Sequence, residues 1–181
     1  NDTTTILKAL DESGADLVEI GMPYSDPVAD GETIQHANQV ALDNGMSVKL
    51  LFEQLAGIRP VIKVPILLMG YINPVLQFGI EEFCKKCQEV GVDGLILPDL
   101  PADVYEEDYK AIFEKYGILN IFLITPQTSE SRISHIDTIS EGFIYMVSSA
   151  SITGAKSGIS DEQEAYFSRI NAMNLKNPRL I

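Results

Sequence analysis

Residues 18–35 read VEIGMPYSDPVADGETIQ, a stretch that opens as a buried strand and continues as a loop. Its first residues are apolar and branched, as in strand interiors, except for Glu19. Two prolines and two glycines follow, and they break any regular element. Asp26 and Asp30 lie between them. The stretch predicts a strand that carries a carboxylate and leads into a stiff, acidic loop.

The rest of the chain repeats the order of strand, loop and helix. The apolar runs are nearly continuous, which is typical of strands buried on both faces of a parallel sheet. This pattern favours an α/β fold, either a (β/α)8 barrel or an open doubly wound sheet. The predicted strands are 15–21, 64–70, 93–99, 118–124 and 142–147, with a sixth beginning at 180–181. The predicted helices are 3–13, 33–44, 47–59, 80–90, 102–116, 129–140 and 161–173. Ser129, and Asp161 with Glu164, mark two predicted helix starts, and Gly91 and Gly117 mark two predicted helix ends.

Length and composition limit the kinds of protein this chain represents. Its 181 residues predict a single domain, 1–181, and its 45% apolar content provides for a sizeable core. The 26 acidic residues outnumber 13 basic ones, and this balance opposes binding to nucleic acid or to an anionic membrane surface. The sequence predicts no bilayer span and no signal peptide. With two cysteines and no disulfide framework, it favours a reducing cytoplasm.

Glu19 is the first candidate for chemistry. A buried, unpaired carboxylate costs several kcal/mol, so it needs either a basic partner or a polar cavity. The predicted strands carry no internal lysine or arginine. We therefore favour a role for Glu19 as an acid or base whose pKa is adjusted by partial burial, at the carboxyl end of a strand where barrel enzymes place their sites.

The two aspartates of the loop have different interpretations. Asp26 precedes a proline and is typical of a turn. Asp30 precedes Gly31 and a predicted helix, so it is either an anchor for that helix or a catalytic group on a stiff loop. Two acids in unlike surroundings form a common acid–base arrangement.

Three further features are weaker signals. The C-x-x-C spacing of Cys84 and Cys87 lacks two further zinc ligands, so we interpret both as core residues and predict no metal site. Tyr145, near a strand end, either fills the interior or contacts a substrate. The small residues of 148–158 are typical of a loop that closes over a substrate or of a flexible connection.

Several of these motifs together resemble the α-subunit family of tryptophan synthase. The stretch 18–35 is similar to that family's signature loop, and the family-like segments VPILLMGYINP, GVDGLILPDLP, TPQTS and YMVSSASITG follow in the same order. The resemblance covers essentially the whole chain. It implies a (β/α)8 barrel that is truncated here at both ends, with five to six of the eight strands present.

The resemblance also implies an activity and site residues. The family is a lyase of tryptophan biosynthesis that cleaves indole-3-glycerol phosphate to indole and glyceraldehyde 3-phosphate. Glu19 and Asp30 match its catalytic pair. The matching substrate-binding residues are Tyr71, Asp99, Tyr145, Thr153 and Gly154. Ser149 and Ser151 depart from the arginine and glycine that many members have in the closing loop.

The family implies a partner as well. It works as an α2β2 heterotetramer in the cytoplasm, in which the β subunit holds pyridoxal phosphate and the α subunit needs no cofactor. Two alternatives remain at this stage. In the first, the chain is a binding subunit without activity of its own. In the second, it is another phosphate-sugar barrel enzyme. A Schiff-base aldolase needs a lysine at the barrel mouth, and only Lys63 and Lys156 approach such a position.

Overall fold

The computed structural model describes residues 2–28, 30–148 and 159–181. These residues form two compact units, Asn1–Asn120 and Ile121–Ile181. Each unit is built from parallel strands and the helices that connect them.

The first unit contains most of the helices and three complete strands. Its elements are α1 Asp2–Glu12, β1 Val18–Gly21, α2 Glu32–Asp43, α3 Val48–Leu55, β2 Ile66–Met69, α4 Ile72–Phe78, α5 Ile80–Val90, β3 Gly94–Ile96, α6 Ala102–Val104, a π-helical turn Tyr105–Tyr109 and α7 Lys110–Tyr116. Strand β4, Leu119–Ile124, begins in this unit. The second unit continues with α8 Glu130–Ile139, β5 Ile144–Met146, α9 Asp161–Ala172 and β6 Arg179–Leu180.

Strand pairing is parallel within each unit. In the first unit β1 pairs with β2, with Glu19 beside Leu67, and β2 pairs with β3. The Leu119 N–H donates to the Asp93 carbonyl at 3.0 Å, which sets the start of β4 beside β3. In the second unit β4 pairs with β5, and β5 with β6. The predicted parallel α/β pattern is confirmed, including a strand near residue 180.

Strand burial agrees with the prediction for β2 and β3 but not for β1. Every residue of β3 is buried, and so are Ile66, Leu67 and Leu68 of β2. In β1, Glu19 is exposed although its neighbour Leu67 is buried on the same face. The reason is that β2 has a strand on both sides, whereas among the described residues β1 pairs with β2 alone. The prediction that β1 is buried on both faces was wrong.

Local signals at helix ends were mostly correct. Gly91 and Gly117 end α5 and α7 in the left-handed conformation, with φ of 83° and 66°. Ser129 caps α8 by accepting from the Arg132 N–H. The predicted start of α9 at Asp161 and Glu164 needs correction by one residue, because the capping box joins Ser160 and Gln163.

The core of the first unit explains the cysteine pair. Cys84 and Cys87 have no exposed surface and lie on the buried face of α5 together with Phe83. The Phe83 ring packs 5.1 Å from that of Phe52 and 5.8 Å from that of Phe78. Burial raises the pKa of Cys84 to about 12. Both cysteines are core residues, as predicted, and in the described part of the chain no cluster of His, Cys, Asp and Glu could hold a metal ion.

Helix α4 follows β2 after two residues, and no sequence pattern predicts it. Its Pro74 is the third residue of the helix, in the first turn, where a missing N–H is tolerated, so this proline lies in a helix rather than in a turn. The helix is short and starts directly beside the carboxyl end of β2. Its first residues therefore belong to the region that carries the candidate site.

Candidate functional site

The carboxyl ends of β1 and β2 hold the start of the acidic loop, residues 22–31, at a fixed point. The Met22 N–H donates to the Met69 carbonyl at 2.7 Å, and the Gly70 N–H donates to the Ile96 carbonyl at 3.1 Å. Met22 is buried against Gly70 so closely that a Cβ on Gly70 would lie 2.8 Å from Met22 Cε and 2.9 Å from Met22 Cβ. The loop therefore leaves the sheet from a tightly packed position.

Glu19 is the second residue of β1 and lies three residues before the acidic loop begins at Met22. Its side chain is exposed on the face that it shares with Leu67. Partial desolvation against the sheet nevertheless raises the pKa of the Glu19 carboxyl above its ordinary value. Because the side chain remains exposed, it can meet a ligand directly, and the raised pKa favours the protonated form that a general acid requires.

Asp30 is half-buried and is held through both its main chain and its carboxylate. Its N–H donates to the Pro27 carbonyl at 3.1 Å, and its carbonyl accepts from Gln35 Nε2 at 2.8 Å. The Tyr71 hydroxyl donates to Asp30 Oδ2 at 3.3 Å. Helix α2 takes Gly31 as its N-cap, with no side-chain cap. The Asp30 carboxylate thus contacts Tyr71, and the interpretation as a helix anchor is not supported.

Asp99 contacts the residue that follows the same tyrosine. Its Oδ1 accepts from the N–H of Ile72, the first residue of α4, at 2.9 Å. Tyr71 is the N-cap residue of that helix, and 9% of its surface is exposed to solvent. The structure therefore brings together three of the predicted site residues, Asp30, Tyr71 and Asp99, around the start of α4.

The remaining predicted residues lie elsewhere or outside the described ranges. Tyr145 is half-buried in the middle of β5, between the buried Ile144 and Met146, and belongs to the second unit. Its ring lies 6.2 Å from that of Phe143. Thr153 and Gly154, with the serines of the same loop and Lys156, lie outside the described residues.

The position of Lys63 argues against a Schiff-base aldolase. Lys63 is exposed and precedes β2, so it lies near the amino end of that strand. The Asp30, Tyr71 and Asp99 cluster lies beyond the carboxyl end of the same strand. A lysine that must reach a carbonyl at the carboxyl ends cannot do so from this position.

Two residues outside the predicted site, Asn38 and Tyr24, connect the acidic loop to helix α2. Asn38 of α2 accepts from the Tyr24 N–H at 3.1 Å and donates to the Tyr24 carbonyl at 2.6 Å. The Tyr24 ring lies 5.0 Å from the Tyr71 ring. Asparagine is a weak helix former, so its place inside α2 was a signal that the side chain has another task.

The comparisons with known proteins cover the whole chain. The family model described as tryptophan synthase alpha chain matches residues 1–181. The tryptophan synthase alpha chain of Flavobacterium psychrophilum is 61% identical over 181 residues, which are 100% of this chain and 72% of that protein. The alpha chain of Parabacteroides distasonis is 56% identical over 100% of this chain and 70% of its own length.

Solved structures agree with the sequence comparison. Tryptophan synthase subunit alpha from Legionella pneumophila str. Paris superposes with a TM-score of 0.85 at 32% identity, over 98% of this chain and 64% of the Legionella chain. A chain of the tryptophan synthase complex from Pyrococcus furiosus gives a TM-score of 0.84 at 32% identity, over 99% of this chain and 71% of its own. This chain thus spans somewhat less than two thirds of the Legionella subunit.

The parallel strands and the carboxylates near their ends define a domain of the (β/α)8-barrel class, and the likeness to solved alpha subunits excludes the open doubly wound sheet. Within that class, the family model and the similar proteins point to one family. The chain belongs to the tryptophan synthase alpha chain family.

Proposed function

We propose that this chain carries the catalytic carboxylates for the cleavage of indole-3-glycerol phosphate to indole and glyceraldehyde 3-phosphate. The observation that supports this most is the contrast between two acids joined by one loop. Desolvation raises the pKa of Glu19, whereas Asp30 accepts a hydrogen bond from Tyr71. One acid is suited to delivering a proton and the other to stabilising a positive charge.

The reaction begins with protonation of the indole ring. The protonated Glu19 carboxyl delivers its proton to ring carbon C3, which converts the ring into an indoleninium ion with an electron-poor nitrogen. The charged Asp30 carboxylate accepts the N–H of that nitrogen and stabilises the cation. The Tyr71 hydroxyl, which donates to Asp30 Oδ2, leaves the other carboxylate oxygen for this contact.

Carbon–carbon cleavage follows from the same intermediate. The bond between C3 and the glycerol chain breaks, and its electron pair returns to the ring, which leaves as indole. The hydroxyl on the adjacent carbon of the chain loses its proton and becomes the aldehyde of glyceraldehyde 3-phosphate. Glu19, now a carboxylate, takes up that proton and is ready for the next cycle. The steps are proton transfers and one carbon–carbon cleavage, and we propose that this chain uses no cofactor of its own.

We assign the other site residues to substrate binding. Tyr71 and Asp99 lie together at the start of α4, in a position suited to lining a pocket for the indole ring. Tyr145 is assigned to substrate binding as well. Thr153 and Gly154 are assigned to substrate binding, because they match the family's closing loop. These assignments rest on the match to the family's motifs.

We further propose a β subunit that holds pyridoxal phosphate as the partner, in an α2β2 assembly located in the cytoplasm. The likeness to a chain of the Pyrococcus tryptophan synthase complex supports this proposal. No helix in the described ranges has the length and apolar character needed to cross a membrane. Co-elution with the β subunit of the same organism in size-exclusion chromatography tests the assembly, and separate elution at micromolar concentrations would contradict it.

The catalytic assignment is tested by replacing each acid with its amide. In the protein as its gene encodes it, we expect Glu19→Gln and Asp30→Asn each to lower the rate of indole release by roughly 10²- to 10⁴-fold, the usual range for a lost acid–base group, with substrate affinity within about tenfold. Asp26→Asn makes the same charge change in the same loop and serves as the control.

Three outcomes would contradict the proposal. Wild-type turnover in Glu19→Gln or Asp30→Asn would remove that residue from the mechanism. An equal loss in Asp26→Asn would show that loop charge, and not a specific acid, is responsible. Absence of indole release by the wild-type protein, together with stimulation of the β subunit, would support the alternative of a binding subunit.

A further inference from the structure

Asn38 makes an unusual contact for a residue in the middle of a helix. Its carboxamide accepts from the Tyr24 N–H at 3.1 Å and donates to the Tyr24 carbonyl at 2.6 Å, so both main-chain polar groups of one loop residue are paired with one side chain. This is the pairing that a neighbouring strand would provide. It fixes the position of Tyr24 and the direction of the loop at that residue.

Helix α2 offers few other means of holding this loop. None of its residues is buried, and its apolar Ile34 and Val40 are 54% and 43% exposed. Because no residue of α2 is buried, polar contacts carry more of the task of holding the helix and the acidic loop together. Two side chains of α2 make hydrogen bonds to the loop main chain: Asn38 contacts Tyr24, and Gln35 contacts the Asp30 carbonyl.

From Tyr24 the contacts continue to the proposed catalytic acid. The Tyr24 ring lies 5.0 Å from the Tyr71 ring at an interplanar angle of 36°, within the range of favourable aromatic pairs. Asn73 Nδ2 donates to the Tyr24 hydroxyl at 3.4 Å, which adds a second link to α4. The Tyr71 hydroxyl then reaches Asp30 Oδ2 at 3.3 Å. The loop is thereby folded back so that its beginning and its end meet the same tyrosine.

We propose that Asn38 is a positioning residue for Asp30, acting through Tyr24 and Tyr71. This inference rests on the proposed function, because it concerns the placement of the carboxylate that meets the indole N–H. Loss of the Asn38 contacts lets Tyr24 move from Tyr71, and Tyr71 then no longer holds the Asp30 carboxylate in one orientation. A hydrogen bond formed mainly in the transition state is sensitive to such a displacement.

The test separates positioning from stability by using two asparagines of the same segment. Asn38→Leu removes both contacts to Tyr24 while keeping a similar side-chain shape and adding no charge. Asn44→Leu is the matched control, because Asn44 Nδ2 donates to the Val40 carbonyl at 2.8 Å at the end of the same helix, away from the loop contacts. Tyr71→Phe removes the hydroxyl at the far end of the contact chain.

We expect Asn38→Leu to lower kcat by roughly 10- to 30-fold with KM within about threefold, since the lost orientation matters most in the transition state. Asn44→Leu should leave both constants within about twofold. If Asn38 acts through Tyr71, the double variant with Tyr71→Phe should lose little more than the larger single loss. Additive losses, or equal losses in the Asn38 and Asn44 variants, would overturn the proposal.

A second measurement does not depend on activity. Nuclear Overhauser contacts between the ring protons of Tyr24 and Tyr71 should be present in the wild-type chain and in Asn44→Leu, and lost in Asn38→Leu. Retained ring contacts in Asn38→Leu would overturn the positioning role even if kcat falls. Full turnover in Asp30→Asn would instead overturn the proposed function, and the ring contacts would then decide the role of Asn38 by themselves.

Discussion

The two ends of the strands in the first unit use carboxylates in opposite ways. At the amino ends, Asp11 and Asp93 accept hydrogen bonds from main-chain amides. Near the carboxyl ends, Glu19 is exposed with a raised pKa, and the Asp30 carboxylate accepts from a tyrosine hydroxyl. The amino ends are organised for stability, and the carboxyl ends leave charged groups available to a ligand, as barrel enzymes generally do.

The amino-end contacts tie the segment before β2 to its neighbours. Asp11 Oδ1 accepts from the N–H groups of Lys63 and Val64 at 3.0 and 3.1 Å. Asp93 Oδ2 accepts from the Ile66 N–H at 2.8 Å. Arg59 pairs with Asp93 and also donates to the Val64 carbonyl at 2.8 Å. The Asp11 and Asp93 carboxylates accept hydrogen bonds from the protein itself, so they are less available to a substrate.

The largest predicted effect is on turnover, and it comes from replacing Glu19 near the carboxyl ends. Glu19→Gln should reduce turnover by the 10²- to 10⁴-fold expected for a lost general acid, yet its free energy of unfolding at pH 7 should equal or slightly exceed the wild-type value. Burial raises the pKa of Glu19, so the folded state disfavours the charged form, and this penalty develops as the pH rises through the raised pKa. Urea unfolding at several pH values checks this.

For Glu19→Gln, the stability difference from wild type should grow with pH and vanish in acid. A marked loss of stability in this variant at pH 7 would show that Glu19 is a structural residue. It would then resemble the carboxylates of the amino ends, and the contrast between the two ends would fail.

The second prediction concerns packing where the loop leaves the sheet. Gly70→Ala would set a Cβ 2.9 Å from Met22 Cβ, so the backbone must shift, and we expect a loss of about 1–3 kcal/mol in unfolding free energy. Gly21→Ala is the control, because no described atom lies within 4 Å of its added Cβ. Chemical denaturation of both variants measures the difference, and equal stabilities would contradict the packing argument.

The sequence alone predicted the strands, two helix ends and the buried cysteines of the first unit. The strands, the helix-ending Gly91 and Gly117 and the buried cysteines followed from periodicity and backbone preference. The exposure of Glu19 did not, because burial of a strand depends on whether it has neighbours on both sides. The Asn38 contact with Tyr24 also escaped, since a side chain that pairs with a distant main chain leaves only a weak mark on local pattern.

The third prediction measures how much the amino ends contribute. Asp93→Asn replaces an acceptor of the Ile66 N–H and a partner of Arg59 with a group that carries donors of its own. We expect a loss of about 1–2 kcal/mol in unfolding free energy, most of it from the main-chain contact, because exposed ion pairs contribute little. Asp16→Asn, an exposed change just before β1, is the control, and kcat should change less than twofold in both.

The smallest predicted effect is the pH dependence supplied by Asp11. Hydrogen bonds from the Val64 and Lys63 amides lower the pKa of Asp11 below its ordinary value. A carboxyl whose pKa is lower in the folded state adds stability above its unfolded pKa of about 3.9, and that stability is lost as the pH falls through the folded value. Asp11→Asn lacks this titration. Its Tm should lie below wild type at pH 7 by less than that of Asp93→Asn, and the gap should narrow as the pH falls below about 4.

With Asp16→Asn as the reference, a gap that stays constant or widens in acid would show that the amide contacts of Asp11 do not favour its charged form. The stabilising role assigned to carboxylates at the amino ends would then depend on Asp93 and its partner Arg59 alone.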